Sequence, residues 1–480
     1  MSHRALLLAL LTLAACRHDK IDLGDDTGDA DPDSEGPGTI DTDDTDDTDE
    51  PAPPAASCDD HVALVGTDGY DSVQAAVSAA TAATDGDTMG TVVVCSGIHT
   101  VANLTVDGRD LRIEGNEDSP DDHVLDAEGA GRILAFSNGT LELVGLTLRG
   151  GVAVDGGALH LTDATASIEN SVVDGNLADE SGAGIYAERV DLALDGTVVQ
   201  GNDCNWRGGG LSHRDGILTV SDSTFSVNGA SSGAGIWLGH EAPTGLHATI
   251  TDSHFEDNLA RYGGAISIDP DAPTDALSQV WLVVNDTDMV GNRADLGGAL
   301  AMRGDGHGDI WSDGGLSITD GEAWTYGGGL FLDARFVHTV TLQNAHFGGN
   351  EAYRGGAVTL RGTHGGWGTF TAIGTTFTAN EAEAGGGAIL LEADGIGMEE
   401  TEPLYALLSE CTVTSNQTLT GGGGAEVGLS GFLESIDSEW GQTSGQHNAP
   451  YDIVTVGPRI GWNVAAGDDW FACDVSTCSL

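Results

Sequence analysis

Apolar residues alternate with small or polar ones along most of this chain. Ala265-Ile266-Ser267-Ile268 and Ala357-Val358-Thr359-Leu360 show the pattern, as do Leu104-Thr105-Val106, Leu111-Arg112-Ile113 and Leu141-Glu142-Leu143. A period of two predicts short strands with one buried face. No window sustains the 3.6-residue period of a helical solenoid. One stretch departs from the strand pattern. From Tyr70 to Ala80, the residues Val73, Ala76, Val77 and Ala80 fall on one side of a short helix.

The strands come with a recurring corner. Asn258-Leu-Ala-Arg-Tyr-Gly263-Gly264-Ala265-Ile266 returns as copies starting at Asn292, Asn350 and Asn380, and more loosely at Asn176, Asn202, Asn228 and Asn416. An apolar residue sits three places before each Asn: Val173, Val199, Phe225, Phe255, Met289, Phe347, Phe377 and Val413. Near residue 322 the Asn reads as replaced by Glu322, while Gly327-Gly328-Gly329-Leu330 survives. The Asn-to-Asn steps are 26, 26, 30, 34, 58, 30 and 36 residues. A fixed corner with variable spacing predicts stacked supersecondary units with loops elsewhere in each coil. Gly-Gly permits a tight turn, and an Asn amide can bond the backbone or the Asn one coil away.

These paired signals resemble the repeats of chlamydial polymorphic outer-membrane proteins. The chain also resembles the pectate-lyase-like superfamily. The resemblance implies an all-β fold, a right-handed parallel β-helix (solenoid), with a short N-terminal capping helix. Repeat coils are expected over 151–431, after an N-terminal cap and first coils over 58–150. A C-terminal cap is expected over 432–480, where Trp440, Trp462, Trp470 and Phe471 gather. The chlamydial relatives continue into a membrane β-barrel. The sequence here ends at Cys478-Ser479-Leu480, so a lipid anchor is expected in the barrel's place.

The anchor is read at the N-terminus. Arg4 precedes an apolar run from Ala5 to Leu13, too short to span a bilayer, and Leu13-Ala14-Ala15-Cys16 is similar to a bacterial lipobox. This makes 1–15 a lipoprotein signal peptide and Cys16 the lipidation site; an ordinary secretory signal with an incidental Cys is the alternative. Arg17 follows the Cys, which implies a lipid-anchored place in the outer membrane, with the cell surface as the expected face. Residues 16–57 read as an acidic disordered linker, with Thr39–Glu50 nearly all Asp and Thr before Pro51, Pro53 and Pro54.

Charge narrows the partners. Of 480 residues, 76 are acidic and 17 basic, for a formal charge of −59, and Lys20 is the sole lysine. Nucleic acid is excluded as a partner, because no basic surface can displace counterions from phosphate. The membrane is expected to be met only through the anchor. A polysaccharide or a surface protein remains as partner. No cofactor and no metal site are expected; calcium is the one ion the acidity leaves open.

There are seven cysteines. Cys58 and Cys95 flank the cap helix and are expected to pair, as are Cys473 and Cys478 near the C-terminus. Cys204 and Cys411 lie about seven coils apart, roughly 30 Å at ~4.8 Å per strand, and are expected to be lone buried thiols.

Candidate chemistry is sparse. Asn285-Asp286-Thr287-Asp288 and Gly304-Asp305-Gly306-His307-Gly308-Asp309 faintly resemble polygalacturonase motifs, which makes Asp286, Asp288, Asp305 and His307 the catalytic candidates. Arg207, Arg261, Arg293 and Arg354 fall between the motif's Asn and its glycines, where a lyase could use an Arg as base. Trp206, Tyr262, Tyr326 and Tyr353 share that gap and could form a sugar- or protein-binding stripe, or pack on neighbouring loops. The preferred reading is a non-catalytic, adhesin-like binding surface; the alternative is a polysaccharide lyase or glycoside hydrolase on the same scaffold.

Overall fold

The computed structural model describes residues 57–59, 61–83, 88–241, 245–270, 279–335, 337–362, 367–393, 404–428, 431–441 and 446–455. All belong to the second of two units, Ala55–Leu480. The expected signal peptide, Cys16, the acidic linker up to residue 56, the Cys473–Cys478 pair, Trp462, Trp470 and Phe471 lie outside the described residues.

The described chain is all-β, a parallel β-solenoid of about 11 turns. Its single α-helix among these residues, α1, spans Val73–Ala83. Ser72 Oγ accepts the Ala75 N–H at 3.2 Å and so caps the helix start. Val73, Ala76, Val77 and Ala80 are all buried, as their spacing requires. The helix lies so close to the strand Gly90–Val94 that a Cβ on Gly90 would come within 2.8 Å of the Ala80 carbonyl oxygen. A disulfide joins Cys58 to Cys95 across this cap, with Cα atoms 5.3 Å apart.

Each coil crosses three faces. The long face holds 11-residue strands such as Ile185–Asp195 and Leu211–Ser221. These bend midway, where Arg189 and Asp215 take left-handed φ values of 55° and 57°. Later coils insert loops at that bend and divide the strand in two, as in Ile236–Gly239 and Leu246–Thr251. The second face is a 12-stranded parallel sheet of short strands. The third carries the gap residues, in sheets of three and five strands.

The core is built from columns of like residues. On the short face, Val173, Val199, Phe225, Phe255, Met289, Ile318, Phe347, Phe377 and Val413 are each 0% exposed. Phe225 and Phe255 stack with ring centroids 5.0 Å apart, and Phe347 and Phe377 at 5.1 Å. The glycine pair has a steric cause. Gly263 sits at φ 58°, and a Cβ there would fall 2.1 Å from the Ile266 carbonyl oxygen; on Gly264 it would fall 2.4 Å from that of Gly298.

The asparagines form a buried ladder. Asn176, Asn202, Asn228, Asn258 and Asn292 link successive coils through Nδ2–H to Oδ1 hydrogen bonds of 2.9–3.1 Å. Asn350, Asn380, Asn416 and Asn448 form a second run with bonds of 2.9 Å. Each amide also donates to a carbonyl of the preceding coil, as Asn258 does to Phe225 at 2.9 Å. Between the runs the ladder position belongs to Gly321, not to Glu322 as the spacing suggested. Glu322 pairs in register with Arg293, one place past the ladder.

The stretch after 431, expected as a cap, continues the coils as far as it is described. Gly431–Ile436 pairs in parallel with Leu404–Ser409. Glu439 bridges Thr412, which sets Trp440 in the interior column after Val413, 1% exposed. Asn448 extends the ladder. Trp440 stands eight places before Asn448 instead of three, and no glycine pair follows, which hides this coil from the repeat pattern.

Candidate functional site

The solvent side of the long face carries a second set of columns. Gly239 pairs with Asp269, Asp333 with Arg361, and Arg361 with Glu392. Arg303 follows Met302, which pairs with both Ile268 and Leu332. Asp269, Arg303, Asp333, Arg361 and Glu392 therefore occupy one position on consecutive coils, alternating in sign. Beside them run Trp237, Ser267, Ala301, Phe331 and Thr359. The neighbouring gap column places Arg207, Ser232, Tyr262, Leu296, Tyr326 and Arg354 in register.

Asp269 anchors the centre of this face. It is 3% exposed. Its Oδ2 accepts Trp237 Nε1–H at 2.8 Å and the Ser232 hydroxyl at 3.1 Å, and its Oδ1 accepts Arg303 Nε–H at 2.9 Å. The Arg303 guanidinium lies over Tyr262, 3.5 Å from the ring centroid, while Arg207 covers Trp237 at 4.5 Å. With Arg214 also over that ring at 5.7 Å, these contacts explain why Trp237, on the solvent side of its strand, is 2% exposed. Asp333 holds Arg335 through Nε–H at 2.8 Å. Burial opposes the charge of Arg335, yet the carboxylates of Asp333 and Asp305 leave the guanidinium above its ordinary value. Arg207, Asp269, Arg303, Gly304, Asp305 and Arg335 enclose a pocket of ≈ 90 Å³.

Two further clusters flank it along the same face. Towards the C-terminus, Arg354 pairs with Glu392 and with Glu426 at 3.6 Å, and Arg361 lies 5.1 Å from the Tyr326 ring. Burial pushes the Glu426 carboxyl and the Tyr326 hydroxyl up from their ordinary values. Towards the N-terminus, Tyr186 stacks on His160 at 4.9 Å and donates to Glu188 at 3.2 Å; burial pushes its hydroxyl up to about 12. Arg214 pairs with Glu241 at 2.9 Å.

The residues expected from sequence divide between places. Of the four catalytic candidates, Asp305 alone lines the pocket. Asp286 turns the corner after Gln279–Asn285 with φ 46°, and Asp288 opens the short-face strand Asp288–Val290. His307 lies 3.3 Å from Asp309, and that hydrogen bond raises its pKa. Of the gap arginines, Arg207 reaches the pocket, Arg354 joins the flanking cluster, Arg261 pairs with Asp295 at 3.5 Å and Arg293 with Glu322 at 3.4 Å. Tyr262 and Tyr326 are half-buried beneath arginines, whereas Trp206 and Tyr353, one position earlier, are 59% and 49% exposed. The four aromatics thus occupy two adjacent columns of different exposure.

Asp269, Arg303 and Arg335 were not singled out from the sequence. A signal for two of them exists. The fourth residue past the motif's last glycine or alanine is Glu188, Arg214, Gly239, Asp269, Arg303, Asp333, Arg361 and Glu392 in successive coils. Among the described residues, no group of three or more His, Cys, Asp or Glu is placed to hold a metal ion. Among them, no helix is long and apolar enough to cross a membrane.

No family model matches this chain, and no curated protein matches it. Among solved structures it is similar to a crystal structure of a DFA-IIIase mutant from Arthrobacter chlorophenolicus A6. The identity is 12%, the match covers 70% of this chain and 88% of that chain, and the TM-score is 0.25.

Proposed function

We propose that this protein is a lipid-anchored, adhesin-like β-solenoid whose long face binds carbohydrate without turning it over. The observation that carries the reading is the track of alternating Asp and Arg side chains beside Trp237, Tyr262 and Tyr326, repeated coil by coil. Planar guanidiniums and carboxylates at a regular ~4.8 Å step suit the hydroxyls of an extended sugar chain, and the rings beneath the guanidiniums help to hold them in place. A non-catalytic role is supported by Asp269, whose oxygens already accept three hydrogen bonds. It orients Arg303 and has little capacity left to move a proton. The alternative, a polysaccharide lyase or hydrolase, draws on Asp305, an exposed carboxylate at the arginine pocket.

The test is to incubate the detergent-solubilised full chain with neutral and acidic polysaccharides, with and without calcium, following both retention and new reducing or unsaturated ends. Retention without product is expected. Product lost on Asp305→Ala would establish the enzymatic reading, and failure to retain any glycan would overturn the carbohydrate reading. Anchoring through Cys16 in the outer membrane belongs to the same proposal. Cys16→Ser should abolish fatty-acid labelling and shift the protein to the soluble fraction; unchanged labelling would refute the anchor.

A further inference from the structure

Resting on the carbohydrate reading above, we infer that the pocket between Arg303 and Arg335 is a subsite for an anionic substituent of the sugar, a carboxylate or a sulfate ester. The inference begins with how the two arginines are held. Among the described residues, each guanidinium makes its one hydrogen bond through Nε–H, Arg303 to Asp269 at 2.9 Å and Arg335 to Asp333 at 2.8 Å. Both aspartates are mostly buried, with side-chain exposures of 4% and 9%. A carboxylate that grips Nε fixes the plane of the guanidinium and leaves its two terminal nitrogens, with four N–H donors, for something else. Two such forks border one pocket, whose lining also includes Arg207, Gly304 and two carboxylates: Asp269, already engaged by Arg303, and the exposed Asp305, so a bound anion would meet three guanidiniums against one carboxylate not spent on them.

The pocket is therefore rich in donors. A sugar hydroxyl satisfies one or two N–H groups. A carboxylate or sulfate accepts several in the planar, paired geometry that arginine offers. The pocket is small, ≈ 90 Å³, and the sugar ring would continue from it along the charged column. The location also matters, because the chain as a whole carries a formal charge of −59. An anion would be repelled elsewhere on the molecule and needs local arginines to be held.

The experiment is calorimetric titration of the solubilised full chain with matched oligosaccharides: oligogalacturonate against its methyl ester, and a sulfated galactan oligomer against its neutral parent. The wild type should bind at least one anionic member roughly tenfold or more tighter than its neutral match. Arg303→Gln and Arg335→Gln should each erase that preference, costing the anionic member more affinity than the neutral one; each should also lower the thermal transition, because Asp269 or Asp333 loses a charged hydrogen bond, while leaving it cooperative. Arg303→Lys, which keeps a cation beside Asp269 but removes the fork, should lose most of the preference while folding normally. Preference for the uronate arm assigns a carboxylate; preference for the sulfated arm assigns a sulfate ester. Equal binding of charged and neutral members, or a preference that survives both Gln substitutions, would overturn the subsite and leave the carbohydrate reading standing. Failure of every glycan to bind would overturn both.

Discussion

Asn258 donates its side-chain amide to Asn292 Oδ1 at 2.9 Å across one coil, and the run of amide–amide bonds stops at Asn292, because the next coil presents Gly321. In its place the Gly321 backbone N–H donates to Asn350 Oδ1 at 2.9 Å, which starts the second run. The two runs therefore differ in what each member leaves behind when removed.

Asn258→Ala should destabilise the fold by roughly 2–4 kcal/mol, since it strands buried groups of Asn228, Asn292 and Phe225 at about 1–3 kcal/mol for each unsatisfied group. Gly321→Asn should not mend the ladder. A Cβ there would fall 2.4 Å from the Gly328 carbonyl oxygen, so this variant should also lose stability. Urea unfolding of the two variants checks both; a stabilised Gly321→Asn protein would mean that the backbone yields easily.

Acid should weaken the solenoid through histidines in its interior. His213 occupies the inward column between Ala187 and Leu238 and is fully buried. Burial outweighs its hydrogen bond to the Val190 carbonyl and lowers its pKa to about 4; His338, likewise buried, is lowered to about 4. An unfolded His titrates near 6.5. Because the folded value is depressed, the stability each neutral ring contributes is complete above about pH 6.5 and is lost as pH falls towards 4. The loss is on the order of 3 kcal/mol per ring. Stability measured from pH 7 to 4 should fall less steeply in His213→Leu than in the wild type, and parallel curves would refute this assignment.

The Cys58–Cys95 bond closes a loop with a sequence separation of 37 around α1. Chain entropy puts its contribution at roughly 3–4 kcal/mol. The Cys58→Ala/Cys95→Ala protein should exchange its α1 amides faster while the middle coils keep their protection, since stacked repeats depend mainly on their neighbours. Hydrogen exchange read by mass spectrometry distinguishes this from a uniform loss.

Cys204 and Cys411 are buried free thiols, and burial pushes both pKa values up to about 11. At pH 8 they should react with a thiol reagent only on the timescale of unfolding. Fast labelling of the native protein at either position would show that its coil opens locally.

Exposure should separate the tryptophans. Trp206→Ala, at 59% exposed, should change stability by less than about 0.5 kcal/mol, whereas Trp440→Ala, in the interior of the last described coil, should cost about 3–5 kcal/mol. Thermal denaturation of the pair is the check. Similar losses in both would place Trp206 under a covering segment.

The solenoid was legible before any coordinates because its signals are local. Asn258, Gly263, Gly264 and Phe255 lie within ten residues of one another, and each does the job its chemistry suggests. The buried helix face of Val73, Ala76, Val77 and Ala80 was equally local, and the staple was legible because Cys58 and Cys95 flank that helix, although they are 37 residues apart. Glu322 was misplaced by one position because a glycine takes the asparagine's place in the ladder, although Ile318, three places before Gly321, keeps the interior marker. Asn448 is not legible because the interior residue, Trp440, precedes it by eight places instead of three and no glycine pair follows it.

What the chain alone determined, then, is the unit: a strand, a glycine corner and an asparagine turn, together with the fact that such units must stack to bury their apolar columns. Only the tertiary structure decided which side chains meet across coils. Asp269 and Arg303 are 34 residues apart, and Arg207 and Arg335 flank them from coils with loops of other lengths. Loop length sets how far apart two residues are in sequence without changing the step between stacked strands. Hence the ladder of alternating charge, the arginines lying over Trp237 and Tyr262, and the pocket they enclose exist only once the coils are in register.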